Sequence, residues 1–135
     1  MPRRTFWRER RGQAVVEFAL LLPVLLLILF GTIEFGRLFA ASLVLGNAAR
    51  DGARLAAVGA GDGEVVDSVL AACLSLGEDV RDRIEIDIDP EDEARESGGT
   101  VTVALRYPLP LVTPVLSDLV PNPFPLNAAC VMRVE

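Results

Sequence analysis

The chain has 135 residues, of which 51 % are hydrophobic, and it carries a formal net charge of −6. It contains no histidine and no lysine, which removes the commonest metal ligand, the commonest general base and the lysine nucleophile. We therefore expect no enzyme, no metal site, no cofactor and no small-molecule substrate. The acidic body also lacks a basic patch that would neutralise the phosphates of a nucleic acid.

The charges are unevenly distributed along the chain. The first eleven residues hold one acid and five arginines, namely Arg3, Arg4, Arg8, Arg10 and Arg11. From Gln13 onward the chain contains eight arginines and eighteen acidic residues, a net charge of −10. Because a basic flank of an apolar segment stays on the cytoplasmic side, this asymmetry predicts an N-terminus inside and a C-terminus outside.

An apolar segment follows the basic head. Residues 18–33 contain no charge, and a helix from Glu17 to Arg37 rises about 30 Å at ~1.5 Å per residue, close to the thickness of the hydrocarbon core. Pro23 lies inside this run and is expected to kink it or to loosen one turn. The sequence therefore predicts one membrane-spanning helix over about residues 14–36.

Helical spacing continues beyond this span. Alanines and leucines recur on one face as far as residue 56, so we expect one continuous helix over residues 13–58, ended by the glycine-rich "GAGDG". Small residues four apart on this helix would let another helix approach closely. Glu34 and Arg37 form a helix-surface pair at the membrane boundary, either an exposed pair of little energetic value or a contact packed between subunits.

The remaining residues, 59–135, predict a small extracytoplasmic head. "EVVDSVLAACLSLG" has the spacing of a short amphipathic helix. Three segments alternate between apolar and polar residues and predict strands, "RIEIDID", "TVTVALRY" and "LNAACVMRVE". The stretch 108–125 holds six prolines, which excludes both a helix and a central strand.

An acidic run joins the first two strands over residues 90–99. An EF-hand loop starting at Asp87 would need glycine at its sixth position and glutamate at its twelfth, where Asp92 and Gly98 stand. This run is therefore expected to be a solvated hairpin loop rather than a calcium site.

The N-terminal end of the apolar segment, "RRGQAVVEFALLLP", carries a specific pattern. A basic head, Gly12, and a glutamate five residues later at the start of an apolar helix resemble the type IV prepilins. The resemblance implies that a prepilin peptidase cuts between Gly12 and Gln13, so that residues 1–12 are a leader. Glu17 would then be an assembly carboxylate that pairs with the amino terminus of a neighbouring subunit, since a buried charge is tolerated when it is paired.

The resemblance extends further along the chain. "AVVEFALLLPVLLLILFGTIEFGRLF" followed by "NAARDGARLAA" is similar to the TadE-like family, the pilin-like proteins of Tad (Flp) pilus systems. This resemblance implies a structural or assembly protein of the bacterial cytoplasmic membrane or of an extracellular pilus. Its implied partners are other pilin subunits, the prepilin peptidase and an assembly platform with its ATPase. The head is large for a main Flp-type pilin, which favours a minor subunit.

Two other interpretations of the N-terminus stay open at this point. The first is an ordinary single-pass anchor that is neither processed nor assembled. The second is a secretory signal peptide cut near "FAAS", a poor site because charged residues precede it. N-terminal sequencing separates them, because the first residue would be Met1, Gln13 or a residue near Leu43.

The chain has two cysteines, Cys73 and Cys130. Each lies on the expected inward face of its element, and a head outside the cell would face an oxidising environment. We hypothesise a disulfide between them, which would contribute on the order of 4 kcal/mol in the chain-entropy model; the alternative is two buried thiols that act as small hydrophobic groups. The whole sequence thus predicts an α+β protein, a long N-terminal helix that carries a head with one short helix and about three antiparallel strands.

Overall fold

A computed structural model describes residues 6–113 and 120–135, with side chains from Gly12 onward. The helices are α1 (Phe6–Ala57), α2 (Asp62–Ala72) and the single turn α3 (Val80–Arg83), and the strands are β1 (Glu85–Asp89), β2 (Thr100–Leu109) and β3 (Phe124–Arg133). The strands form one antiparallel sheet in the order β1-β2-β3. The predicted α+β class is confirmed.

Helix α1 is continuous over 52 residues, a length of about 78 Å at ~1.5 Å per residue. It begins at Phe6 rather than near residue 13, so the second half of the expected leader is helical. Pro23 lies inside the helix without ending it. At the other end Gly59 has a φ of 89°, Ala60 N–H donates to Leu55 O and Gly59 N–H donates to Ala56 O. This is a Schellman motif, and it ends the helix where the glycine-rich segment predicted.

The outer part of α1 is buried by the chain's own head. Its buried face consists mainly of alanines, namely Ala41, Ala48, Ala49, Ala53, Ala56 and Ala57, together with Leu45. The helix that approaches this small-residue face is α2 of the same chain, and the sheet packs on it as well. Gly52 lies at the junction, where a Cβ atom would stand 2.8 Å from Val69 Cγ2 and 3.4 Å from side-chain carbons of Val65 and Val103.

This junction gives a prediction for Gly52→Ala. The new methyl group would force the stiff, buried Val69 to move, and overpacking of this kind costs about 1–3 kcal/mol, which outweighs the helix propensity gained from alanine. The control is Gly46→Ala on the same helix, where a Cβ atom meets nothing within 4 Å and stabilisation by up to about 1 kcal/mol is expected. Urea unfolding in detergent measures both, and a stabilised Gly52→Ala would contradict this packing.

The sheet presents one apolar face to α1. The inward residues of the central strand are fully or almost fully buried, and they are Val101, Val103, Leu105, Tyr107 and Leu109. The same alternation runs along β3, where Leu126 is buried and Ala128, Cys130 and Met132 are half-buried. The predicted strand faces are therefore confirmed.

The expectation that the proline-rich stretch excludes a central strand was wrong at its two ends. Pro108 lies in β2, the central strand, directly opposite Pro125 of β3. Two facts allow it. Strand β1 pairs with β2 only up to Arg106, so β2 has one open side at Pro108. Neither proline has an N–H, so the two can face each other at a position of the ladder that needs no hydrogen bond.

The hypothesised disulfide is not formed in this structure. Cys73 and Cys130 are both free thiols, the first buried and the second half-buried. Cys73 follows α2 and Cys130 lies on β3; these two elements each pack on α1 rather than on one another. Burial raises the pKa of the Cys73 thiol, which keeps it neutral and unreactive at neutral pH.

Helix α2 is shorter than predicted. It ends at Ala72, and Leu74–Leu76 form a separate 3₁₀ turn. The single turn α3, which no periodicity indicated, follows it and buries Val80.

Candidate membrane and assembly sites

The N-terminal motif lies on the exposed surface of α1. Gly12, Gln13 and Glu17 are all exposed, and a Cβ atom built on Gly12 meets nothing within 4 Å. The bond between Gly12 and Gln13 therefore lies in an open stretch of helix. The five arginines of the basic head fall outside the described side chains.

The apolar part of α1 has no cover from the rest of the chain. Its large hydrophobic side chains from Val15 to Ile33 are all exposed, most of them by more than half. In the described part of the chain, α1 is the one helix long and apolar enough to cross a membrane. An apolar surface of this size marks a contact with lipid or with other helices. These properties indicate a single-pass membrane anchor.

Glu34 is the centre of an unexpected site at the head end of this segment. Only 3 % of this residue is exposed. Its Oε1 accepts a hydrogen bond from Arg37 Nη1 at 2.6 Å. Its Oε2 accepts the backbone N–H groups of Val112 and Thr113, each at 3.2 Å, and the Thr113 hydroxyl at 3.0 Å.

The Glu34 carboxylate therefore anchors the connection between β2 and β3 to the stem helix. The predicted pair with Arg37 exists, and the chain's own connection covers the Glu34 carboxylate while the Arg37 side chain stays partly exposed. A crevice of about 170 Å³ lies beside it, lined by Gly31, Phe35, Leu38, Leu111, Val120 and Phe124. No local sequence pattern indicates this contact, since Glu34 and Thr113 are 79 residues apart.

A second anchor holds the acidic loop. The Arg95 side chain is 4 % exposed, donates to Ala60 O at 2.7 Å and to Pro90 O at 3.2 Å, and pairs with the Asp62 carboxylate. Asp62 also accepts the backbone N–H of Asp92. The acids of the loop are exposed as expected, but its backbone is bound to the junction of α1 and α2. No group of three or more Cys, Asp or Glu side chains in the described ranges is placed to hold a metal ion.

Arg95→Ala is expected to destabilise the head by about 1–3 kcal/mol, because it leaves two part-buried carbonyl groups and a partly exposed carboxylate without their shared donor. The matched control is Arg106→Ala, whose guanidinium is largely exposed and 3.5 Å from Glu85, and which should cost less than ~1 kcal/mol. Thermal unfolding in detergent checks both values. Equal effects would show that the Arg95 contacts add nothing to stability.

A comparison with protein families gives one match. Residues 12–54 match a family model described as TadE-like protein. The matched segment starts at Gly12 and includes Glu17, Glu34 and Arg37, and it ends within the buried part of α1. The match confirms the resemblance to the TadE-like family over these residues. The comparisons with curated proteins and with solved structures found no match.

Proposed function

We propose that this TadE-like chain is a minor pilin-like structural and assembly protein of a Tad/Flp pilus. In this proposal it is made in the bacterial cytoplasmic membrane with its N-terminus inside, and prepilin peptidase removes residues 1–12. The observation that carries the proposal is that the family match begins at Gly12 and includes the long apolar surface of α1. Among the described side chains, the large hydrophobic ones from Val15 to Ile33 are all exposed.

Glu17 has the chemistry that assembly requires. Cleavage after Gly12 would turn Gln13 into an amino terminus four residues, about one helical turn, before Glu17. In a bundle of parallel helices, a small axial shift of one subunit would bring its amino terminus beside the Glu17 carboxylate of its neighbour. Such a pair satisfies both charges in a low-dielectric environment, where either one alone would be costly.

The rest of the chain suits a structural role rather than a catalytic one. The head is attached rigidly to α1, because Glu34 and Arg95 each bind a connecting segment to the region of the stem helix. Other pilin subunits, the peptidase and a membrane platform are the partners we propose. The alternative is a single-pass anchor with an extracytoplasmic head, neither processed nor assembled into a pilus. The structure of the head is the same under both proposals.

Processing separates the two proposals. Gly12→Leu places a large side chain in open space on the helix surface, so the fold should be unaffected while the peptidase loses close access to the backbone. We expect the wild-type chain to begin at Gln13 and the Gly12→Leu chain to begin at Met1, as measured by intact mass in cells that contain the peptidase. Gly36→Leu, at an equally open position of α1, is the control and should be processed normally. A wild-type chain that keeps residues 1–12 would support the unprocessed anchor.

A further inference from the structure

We propose that residues 110–113 and 120–123, the described parts of the connection between β2 and β3, lie in the boundary of the bilayer and make a second contact with lipid beside α1. The proposal rests on α1 being a membrane anchor, and it does not depend on leader cleavage or pilus assembly.

The connection is attached to α1 at the level of the membrane boundary. The uncharged residues 18–33 span only about 24 Å, which is less than the ~30 Å of a hydrocarbon core. A core of normal thickness that begins at Glu17 therefore extends beyond Ile33 to the level of Glu34 and Arg37. Residues 112 and 113 are hydrogen-bonded to Glu34, and the crevice beneath them reaches Gly31, one turn deeper.

The described backbone of this connection carries few free N–H donors. Irregular backbone is tolerated at membrane depth only where its polar groups are satisfied. Pro110 has no N–H, and Leu111 N–H donates to Asn122 Oδ1 at 3.0 Å. The next two N–H groups donate to Glu34. No backbone N–H group is therefore free over residues 110–113, because the proline has none and the other three donate to side-chain acceptors.

The described parts of the connection present an uncharged surface. Residues 108–113 and 120–125 contain no charged side chain, and the stretch between them holds one, Asp118. Val112 is 69 % exposed, and Phe35 and Phe39 on the adjacent turns of α1 are 70 % and 59 % exposed. This patch is continuous with the apolar surface of the anchor. The partly exposed Arg37 beside it is placed to reach lipid phosphates with its long side chain. Lipid is therefore the partner whose chemistry fits.

Tryptophan depth measurements test this placement in the full-length chain. The single native tryptophan, Trp7, is replaced by phenylalanine, and one new tryptophan is introduced at a time. Val112→Trp reports on the connection and Val120→Trp provides a second position on it. Val131→Trp on the outer face of the sheet, 60 % exposed, is the matched control, and Phe30→Trp reports on the anchor. The proteins are placed in phosphatidylcholine–phosphatidylglycerol vesicles, with acyl-brominated lipid or aqueous acrylamide as the quencher.

We expect Val112→Trp to be quenched several-fold more strongly by brominated lipid than Val131→Trp, and several-fold less by acrylamide. Quenching by acrylamide at the level of Val131→Trp would overturn the proposal. Protection from both quenchers would also overturn it, because protein, such as a second copy, would then cover the connection. If brominated lipid does not quench Phe30→Trp, α1 is not a membrane anchor. If it quenches Phe30→Trp but not Val112→Trp, only the second contact is rejected.

Discussion

Glu34→Ala is expected to lower the free energy of unfolding of the head by about 3–5 kcal/mol. The substitution removes the shared acceptor of two backbone N–H groups and one hydroxyl, all on the connection between β2 and β3. Each of these donors costs about 1–3 kcal/mol when it is left unsatisfied in a buried site, and partial relaxation recovers some of the sum. The connection should then detach from α1, so that Leu111 and Val120 lose their contacts with the stem.

Two controls isolate the role of the Glu34 carboxylate. Arg37→Gln removes the charge that pairs with the buried Glu34 carboxylate, but the three donors of residues 112 and 113 remain, so a cost of about 1–2 kcal/mol, smaller than that of Glu34→Ala, is expected. Thr113→Val removes only the hydroxyl donor and should cost about 1 kcal/mol. Urea unfolding in detergent, followed through the fluorescence of the single tyrosine, Tyr107, gives all three values. If Glu34→Ala and Arg37→Gln were equally stable, the hydrogen bonds to residues 112 and 113 would have no energetic role.

Glu17→Ala is expected to abolish assembly while leaving leader cleavage intact. The pair between Glu17 and the amino terminus of a neighbour would be buried, and removing one member of a buried pair costs about 3–5 kcal/mol per contact. That energy corresponds to a decrease in the association constant of the subunits by about two to four orders of magnitude. The substitution leaves the fold unchanged, because Glu17 is exposed on α1 and far from the head.

Asp51→Ala is the matched control for this experiment, because Asp51 is an exposed acid on the same helix but lies outside the apolar span. The Asp51→Ala chain should assemble to the same extent as the wild-type chain. Both variants are measured by the amount of subunit recovered in sheared appendages and by the mass of the subunit left in the membrane. Normal recovery of Glu17→Ala would show that Glu17 is not the docking charge.

Local patterns in the sequence predicted the main elements of the fold. Alternation over a few residues identified all three strands and their inward faces, because the side-chain period of a strand depends only on neighbouring positions. The end of α1 was predicted within one residue, since a glycine that adopts a positive φ is a local signal. The start was missed, because no local signal ends the helix at Gln13 and the helical backbone continues to Phe6.

The long-range contacts were not predictable in the same way. The bonds from Glu34 to residues 112 and 113, and from Arg95 to Ala60, join positions 35 to 79 residues apart. No periodicity encodes such a distance. The disulfide is not formed in this structure for a related reason: both cysteines lie on inward faces as expected, but local sequence patterns do not reveal that α2 and β3 each pack on α1.

The first residue of the subunit in isolated appendages tests the central claim most directly. Appendages sheared from cells are purified, and the N-terminus of this subunit is determined by mass spectrometry of the intact chain and of its N-terminal peptide. The account predicts a chain that begins at Gln13, with the amino group that Glu17 of a neighbour would bind. A subunit that still carries residues 1–12 within a functional appendage would contradict it.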